Sequence, residues 1–222
     1  MRQIQLNSVK NAVLTSIYVD DRSAALNEFF RSGAEIYVLA GVLRDVIASH
    51  YEGEGEGAPR DLDIAVAHVP RRLFDGVLSR DGTMNRHGGY VMRRQGSPPW
   101  DIWRLEETIG LRKTGVECSL ENVLRSFNLG CNAIALNVRT GIFTDAGAID
   151  SIRKKRLTFA DYAIRHSHAT FAAKALMLHL NMQYKVPLEV GEFIQTYLQP
   201  AELLYESKKI FPGLVPLQST KI

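Results

Sequence analysis

The sequence predicts an α/β chain, in finer terms α+β: a mixed sheet with flanking helices, followed by a short helical domain. Three observations lead there. Short β-branched or aromatic runs alternate with stretches of helical spacing over roughly the first two thirds of the 222 residues. Glycine and proline mark the changes from one to the other. From Phe159 onward mainly helical periodicity remains. The expected division is residues 1–155 for the α/β part and 156–222 for the helical segment.

In chain order, Ala24, Ala25, Leu26, Phe29 and Phe30 recur at helical spacing between Ser23 and Ser32, and Gly33 offers the stop. Residues Ile36 to Ala40 are β-branched and aromatic enough for a buried strand, broken by Gly41 and followed by a helical run from Val42 to His50. The stretch EGEGEGAP, residues 52–59, has almost nothing to bury and predicts a loop. Next, Asp61-Leu62-Asp63-Ile64-Ala65-Val66 reads as a strand with both aspartates on one face, because side chains alternate with period two. A helix around Arg71 to Leu78 and a strand around Tyr90 to Arg93 follow. Trp100-Asp101-Ile102-Trp103 then repeats the apolar-acid-apolar pattern of a second acidic strand. A helix from Leu120 to Phe127 and a strand from Ala133 to Val138 lead to the turn Arg139-Thr140-Gly141. The last helix carries Phe171, Ala172, Ala175, Leu176, Leu178, His179 and Met182, and Pro187 halts it.

Composition narrows the class. Apolar residues at 45% and charged residues at 23% exclude a disordered or fibrous chain. A net charge of +3 does not by itself argue for nucleic acid, but its distribution is uneven. Residues 151–222 hold ten Lys/Arg against five Asp/Glu, whereas residues 1–150 hold seventeen against nineteen. That surplus can attract a polyanion, or it is a solvated face such as Arg153-Lys154-Lys155-Arg156. Cys118 and Cys131 lack CxxC spacing and are too few for a four-ligand zinc site, so both read as free thiols of a reducing cytoplasm. No apolar run approaches the ~20 residues that cross a bilayer, and a soluble, cytoplasmic protein with no membrane partner is expected.

The constellation that carries chemistry is Gly41 with Arg44-Asp45 at a strand-to-helix turn, Asp61-x-Asp63 on the next strand, and Asp101 on a further one. An isolated D-x-D is more often a solvent-facing alternation than a metal site; the company it keeps here reverses the balance. Transfer of a nucleotidyl group gathers the charges of a triphosphate, an attacking hydroxyl and a departing pyrophosphate. Two divalent ions ~3.5–4 Å apart stabilise both the entering and the leaving oxygen. Magnesium takes oxygen ligands and keeps waters, so a few carboxylates suffice. A glycine turn entering a helix adds exposed N–H groups and a positive dipole end for phosphate, and Arg44 lies within reach of it.

The stretches IYVLAGVLRDVI and PRDLDIAV resemble the head domain shared by bacterial poly(A) polymerases and CCA-adding tRNA nucleotidyltransferases of the polymerase-β superfamily, whose pattern is G-G-x-x-R-D and then D-x-D. The resemblance continues more loosely through LGCNAIALNVRTGIFTDAGAIDSI, covering about Ile36 to Leu157. It implies that Asp61 and Asp63 hold two Mg2+ ions, that Gly41 faces the triphosphate of a bound NTP such as ATP, that Arg44 assists, and that Asn132 sits near the nucleotide. Asp101 is assigned as a third ligand from its own strand pattern. The implied reaction is Mg2+-dependent transfer of a nucleoside monophosphate to an acceptor hydroxyl, with RNA or tRNA the leading acceptor. The departures are Ala40 at the first glycine position, Ser126-Phe127-Asn128 where Arg-Arg-Asp is expected, and no base-selecting D-x-x-R. They keep two alternatives open: an inactive RNA-binding or regulatory module, and a toxin-type enzyme modifying tRNA or a protein.

Other candidates weigh less. His166-x-His168 points to different sides of a helix, so these residues and His179 read as structural. Trp100 and Trp103 read as core before base-stacking platforms, and the glycine-rich 53–57 lacks the ending a P-loop requires. Lys174 and Arg165 fit a contact with the nucleotide or an acceptor strand as well as a solvated position, and neither is assigned a role.

Overall fold

A computed structural model describes residues 6–18, 20–53, 60–160 and 168–198. The expected loop at 52–59 falls largely outside these residues, as do His166 and Arg165. Two compact units divide the chain: Met1–Lys154 with Ala160–Ile164, and Lys155–Phe159 with Arg165–Ile222.

The first unit opens with α1 (Leu6–Tyr18) and α2 (Ser23–Arg31), followed by β1 (Glu35–Leu39), α3 (Gly41–Glu52), β2 (Leu62–Ala67) and α4 (Arg71–Leu78). It continues with β3 (Thr83–Met84), β4 (Tyr90–Arg94), β5 (Ser97–Arg104), α5 (Ile109–Thr114), α6 (Leu120–Arg125), β6 (Ile134–Asn137), β7 (Phe143–Asp145) and α7 (Ala148–Arg153). The mixed sheet expected from the sequence has the order β3-β4-β5-β2-β1-β6-β7, with β2 and β5 parallel and the other pairs antiparallel. Strands at the centre are buried on both faces, which is why Ile36-Tyr37-Val38-Leu39 reads as a continuous apolar run and not as an alternation.

Register fixes which side chains share a face. One row crosses the sheet as Val91, Asp101, Asp63, Leu39, Ala135 and Thr144. On this face Leu39, Tyr37, Ala65 and Ala135 pack with Leu111 of α5 and with Val123 and Leu124 of α6 in a small core. The opposite face holds Ile36, Val38, Ile64, Val66 and Ile102, all fully buried. Phe74 of α4 joins Phe29 of α2 and Tyr90 of β4 in an aromatic chain with centroid separations of 5.7 and 5.9 Å. Helix α1 goes beyond the sequence expectations, although Val9, Val13 and Ile17 form a buried stripe at every fourth residue.

In the second unit α8 (His168–Met182) and α9 (Leu188–Tyr197) pack together, with Phe171 and Phe193 rings 4.8 Å apart and Phe159 against both. His179 Nδ1 lies 2.7 Å from the Tyr184 carbonyl and His168 stacks by Tyr197, so both histidines serve packing. Among the described residues no helix is long and apolar enough to cross a membrane.

Candidate active site

The end of the sheet where β1 stops and β2 starts is built by three local decisions of the chain. Strand β2 presents Asp63 on the face of Leu39, and Asp61, immediately before the strand, follows the same alternation. Strand β5 runs parallel to β2 and brings Asp101 beside Asp63 in register. Neighbouring strands lie ~4.8 Å apart, so the two carboxylates have adjacent origins. Strand β1 ends at Leu39, opposite Asp63, and the chain turns at Ala40 into α3, which starts at Gly41. The sequence-predicted acids and the glycine turn therefore meet at one sheet end.

Electrostatics agree. Burial pushes the Asp101 carboxyl above its ordinary value, a hydrogen bond from Asn85 and the nearby His87 oppose this, and the charge of Asp61 adds to it. Asp61 and Asp101 thus feel one another as like charges. Asn85 has no part in the sequence reading. Its Nδ2 donates to Asp101 Oδ1 at 3.0 Å, while its Oδ1 accepts the N–H groups of His87 (2.9 Å) and Gly89 (3.1 Å). With the amide oxygen held by two backbone donors, the NH2 group is the end that faces the acid. The run Asn85-Arg86-His87-Gly88-Gly89 carries a turn signature that could have located this tip.

Across β1, the predicted nucleotide-side residues engage each other. Arg44 Nη1 donates to Asn132 Oδ1 at 2.7 Å, and its Nε donates to Asp45 Oδ1 at 2.8 Å. Asn132 is placed by the tight turn Gly130–Asn132 ahead of β6, where the buried Cys131 thiol is pushed up to about 11 by desolvation. Ala40 caps α3 with φ 55° and ψ −115°, a conformation suited to glycine, and its carbonyl accepts the first helical bond, from Arg44 N at 3.0 Å. The missing glycine is thus a matter of backbone strain as well as of an added methyl. Ser126 is buried with its hydroxyl on the Val123 carbonyl at 2.7 Å, and Phe127 packs on the small core. That segment ends α6 as a cap, which accounts for its departure from a charged triplet.

Trp100 is fully buried beneath the Arg22 guanidinium, 4.6 Å from the ring centroid. Trp103 Nε1 donates to Thr108 Oγ1 at 3.0 Å. Both tryptophans are structural, in line with the core reading.

The donor set suits a hard cation. Asp63 and Asp101 are register neighbours, and Asp61 acts electrostatically on Asp101. Among the described residues no group of three or more His, Cys, Asp or Glu is close enough to hold a metal ion unaided. A cation of magnesium type that takes one or two carboxylates and completes its shell with substrate phosphates and water does not require such a group.

Neither a protein-family model nor a curated protein matches this chain. Solved structures do. The Thermotoga maritima CCA-adding enzyme complexed with tRNA-CCA aligns at TM-score 0.63 and 13% identity, over 97% of this chain and 52% of that one. A CCA-adding enzyme with ATP aligns at 0.61 and 13%, over 85% and 46%. A tRNA nucleotidyltransferase complexed with a primer tRNA and an incoming ATP analog aligns at 0.58 and 17%, over 81% and 53%. The chain spans about half the length of each. At these identities the likeness is one of fold: the chain shares the fold of the aligned half of these CCA-adding enzyme and tRNA nucleotidyltransferase structures.

Proposed function

We propose that the protein is a Mg2+-dependent nucleotidyltransferase that moves a nucleoside monophosphate from an NTP to an acceptor hydroxyl and releases pyrophosphate, with RNA as the acceptor. The observation that carries this reading is the row formed by Asp101, Asp63 and Leu39, the last being the final residue of β1, two positions before the turn at Gly41. The structural neighbours bind CTP, ATP or tRNA according to their descriptions, which supports the substrate classes.

Asp61, Asp63 and Asp101 would hold the magnesium, which supplies Lewis-acid stabilisation of the phosphoryl oxygens. Backbone N–H groups at Gly41 and the positive end of α3 face the triphosphate, and Arg44, steadied by Asn132 and Asp45, stands beside it. The acceptor oxygen bonds to the α-phosphorus as the bond to the β-bridging oxygen breaks, and pyrophosphate departs. The proton of the hydroxyl passes to Asp101, whose raised carboxyl suits it to accept one.

One observation favours a second reading, an RNA-binding or regulatory module without catalysis: Ser126 and Phe127, at the place of the family's charged triplet, are committed to capping and core packing. One experiment separates the two. The protein is incubated with each labelled NTP, Mg2+ and total RNA or lysate, beside the Asp61→Asn/Asp63→Asn variant. Label transfer that the variant abolishes is expected; equal labelling by both proteins, or none with any NTP, overturns the proposal.

A further inference from the structure

In an in-line displacement the entering and leaving oxygens lie on opposite sides of the phosphorus. Sheet order makes that constraint directional here. The acids sit on β2 and β5, with β1 and the Gly41 turn on one flank and β4 with the Asn85–Gly89 tip on the other. If the triphosphate lies at Gly41, as the proposed function has it, the acceptor must arrive over the β4 flank.

That flank is basic. Arg86 and His87 occupy the tip, Arg112 and Lys113 lie on α5, and all four are exposed. They share one neighbourhood: burial, then Arg86, lowers the His87 ring's proton affinity, Asp101 opposes this, and Arg112 and Lys113 lower it further. Packing agrees with the electrostatics. A β-carbon built on Gly88 would stand 3.4 Å from Arg71 Nη1 and 3.8 Å from Glu107 Oε2, and Arg112 Nη2 lies 3.5 Å from that same carboxylate. Among the described residues neither Arg86 nor Lys113 forms an ion pair; Arg86 donates only to the neighbouring His87 ring, at 3.0 Å. The tip is also held in place, since Asn85 N donates to the Gly89 carbonyl at 2.8 Å and Gly88 N to the Asn85 carbonyl at 3.1 Å. The backbone that carries Arg86 and His87 is therefore fixed relative to the acid that Asn85 grips.

We infer that Arg86, Arg112 and Lys113 form the docking surface for the phosphodiester backbone of a single-stranded RNA acceptor, guiding its terminal hydroxyl to the acids. Among the described residues no exposed Phe, Tyr or Trp other than Tyr18 and Tyr197 is present, and the His87 ring accepts from Arg86. This favours backbone binding over base reading, so the surface takes RNA with little regard to sequence.

The test uses fluorescence anisotropy of a short mixed-sequence oligoribonucleotide over a series of KCl concentrations. Wild type is compared with Arg86→Glu/Lys113→Glu and with Arg31→Glu/Arg80→Glu, a control of equal charge change at the C-terminal end of α2 and just past that of α4, away from the end of α4 that meets Gly88. Binding of each NTP with Mg2+ and the thermal midpoint are followed in parallel. The tip-and-α5 variant should bind RNA at least about tenfold more weakly and lower the salt slope by roughly 1.4, at ~0.7 for each phosphate no longer neutralised. Its NTP binding and midpoint should stay at wild-type values, and the control should match wild type. Equal RNA affinity in the two variants overturns the inference, as does a parallel loss of NTP binding, or a polyglutamate peptide that binds as tightly as RNA. RNA binding that needs the patch in a protein without label transfer sinks the catalytic reading alone; transfer to RNA that survives the patch variant sinks this inference alone.

Discussion

Two charged corners of the same sheet are built by opposite rules. At one, Arg22 is buried and holds Asp20 with both ends of its guanidinium, Nε to Oδ1 at 2.8 Å and Nη2 to Oδ2 at 2.5 Å, while Nη1 donates to the carbonyls of Met92 and Pro98 at 2.9 Å. At the other, Asp61 and Asp101 repel, and Asn85 gives Asp101 a neutral amide as its hydrogen-bond partner. A fully satisfied ion pair staples a loop to the β4–β5 ribbon; gathered like charges cost stability, and under the proposed function a substrate and its cations would relieve them. Stability is gained at the first corner; at the second, burial and the charge of Asp61 penalise the ionised form of Asp101, while the exposed Arg60 pairs with Asp61 at 3.3 Å.

The staple should break hardest. Arg22→Ala strands a buried carboxylate and is expected to cost about 3–5 kcal/mol in chemical denaturation, or a fall in Tm on the order of 10 °C. The same corner gives a pH signature. Hydrogen bonding to Arg22 holds the Asp20 carboxyl below the usual range, so its contribution is complete above about pH 4 and is lost as pH falls through the depressed value. Thermal midpoints taken down to about pH 2 should therefore fall less steeply for Asp20→Asn than for wild type; parallel curves would show the pair to be inert.

Asn85→Ala comes next and acts on the second corner. Removing the amide that orients Asp101 should lower nucleotidyl transfer by roughly 10–100-fold, the usual effect of losing a residue that orients a ligand, with NTP affinity preserved. An unchanged rate would mean that Asp101 is aimed by something else. Ala40→Gly follows with the opposite sign. Relief of the positive φ, about 1–3 kcal/mol, outweighs the ~0.5–1 kcal/mol that glycine adds in backbone entropy. A net stabilisation near ~1 kcal/mol is expected by denaturant titration. The smallest effect on stability is that of Asp101→Asn. Burial raises the carboxyl, so its ionised form is penalised at neutral pH and stability declines as pH climbs through its titration. The neutral amide should stabilise the fold by on the order of a few tenths of a kcal/mol after screening while abolishing transfer. A clear loss of stability would show that the acids are a structural cluster.

The strands and turn that carry the candidate site were more legible in the sequence than the residues that support them. The D-x-D alternation, the strand–turn–helix at Gly41 and the second acidic strand are local patterns, and period-two and helical spacing reveal them directly. That Asp63 and Asp101 face each other is not local, because β2 and β5 are parallel strands joined by a crossover through α4, β3 and β4. Arg22 was invisible for a related reason. In Asp20-Asp21-Arg22 it looks like a solvated charge run, and only the chain's return at Met92 and Pro98 closes water off from it. The three-residue β7 and six-residue α5 are too short to carry a period. The conformation of Ala40 could not be read at all, since alanine gives no sign of a positive φ.

The decisive experiment is the anomalous scattering of Mn2+ in crystals grown with a non-hydrolysable NTP. Manganese is expected among Asp61, Asp63 and Asp101, with the triphosphate running from it toward the N–H groups at Gly41. Manganese and nucleotide bound elsewhere, with those three carboxylates touching neither, would contradict the assignment of this sheet end as a nucleotidyl-transfer site.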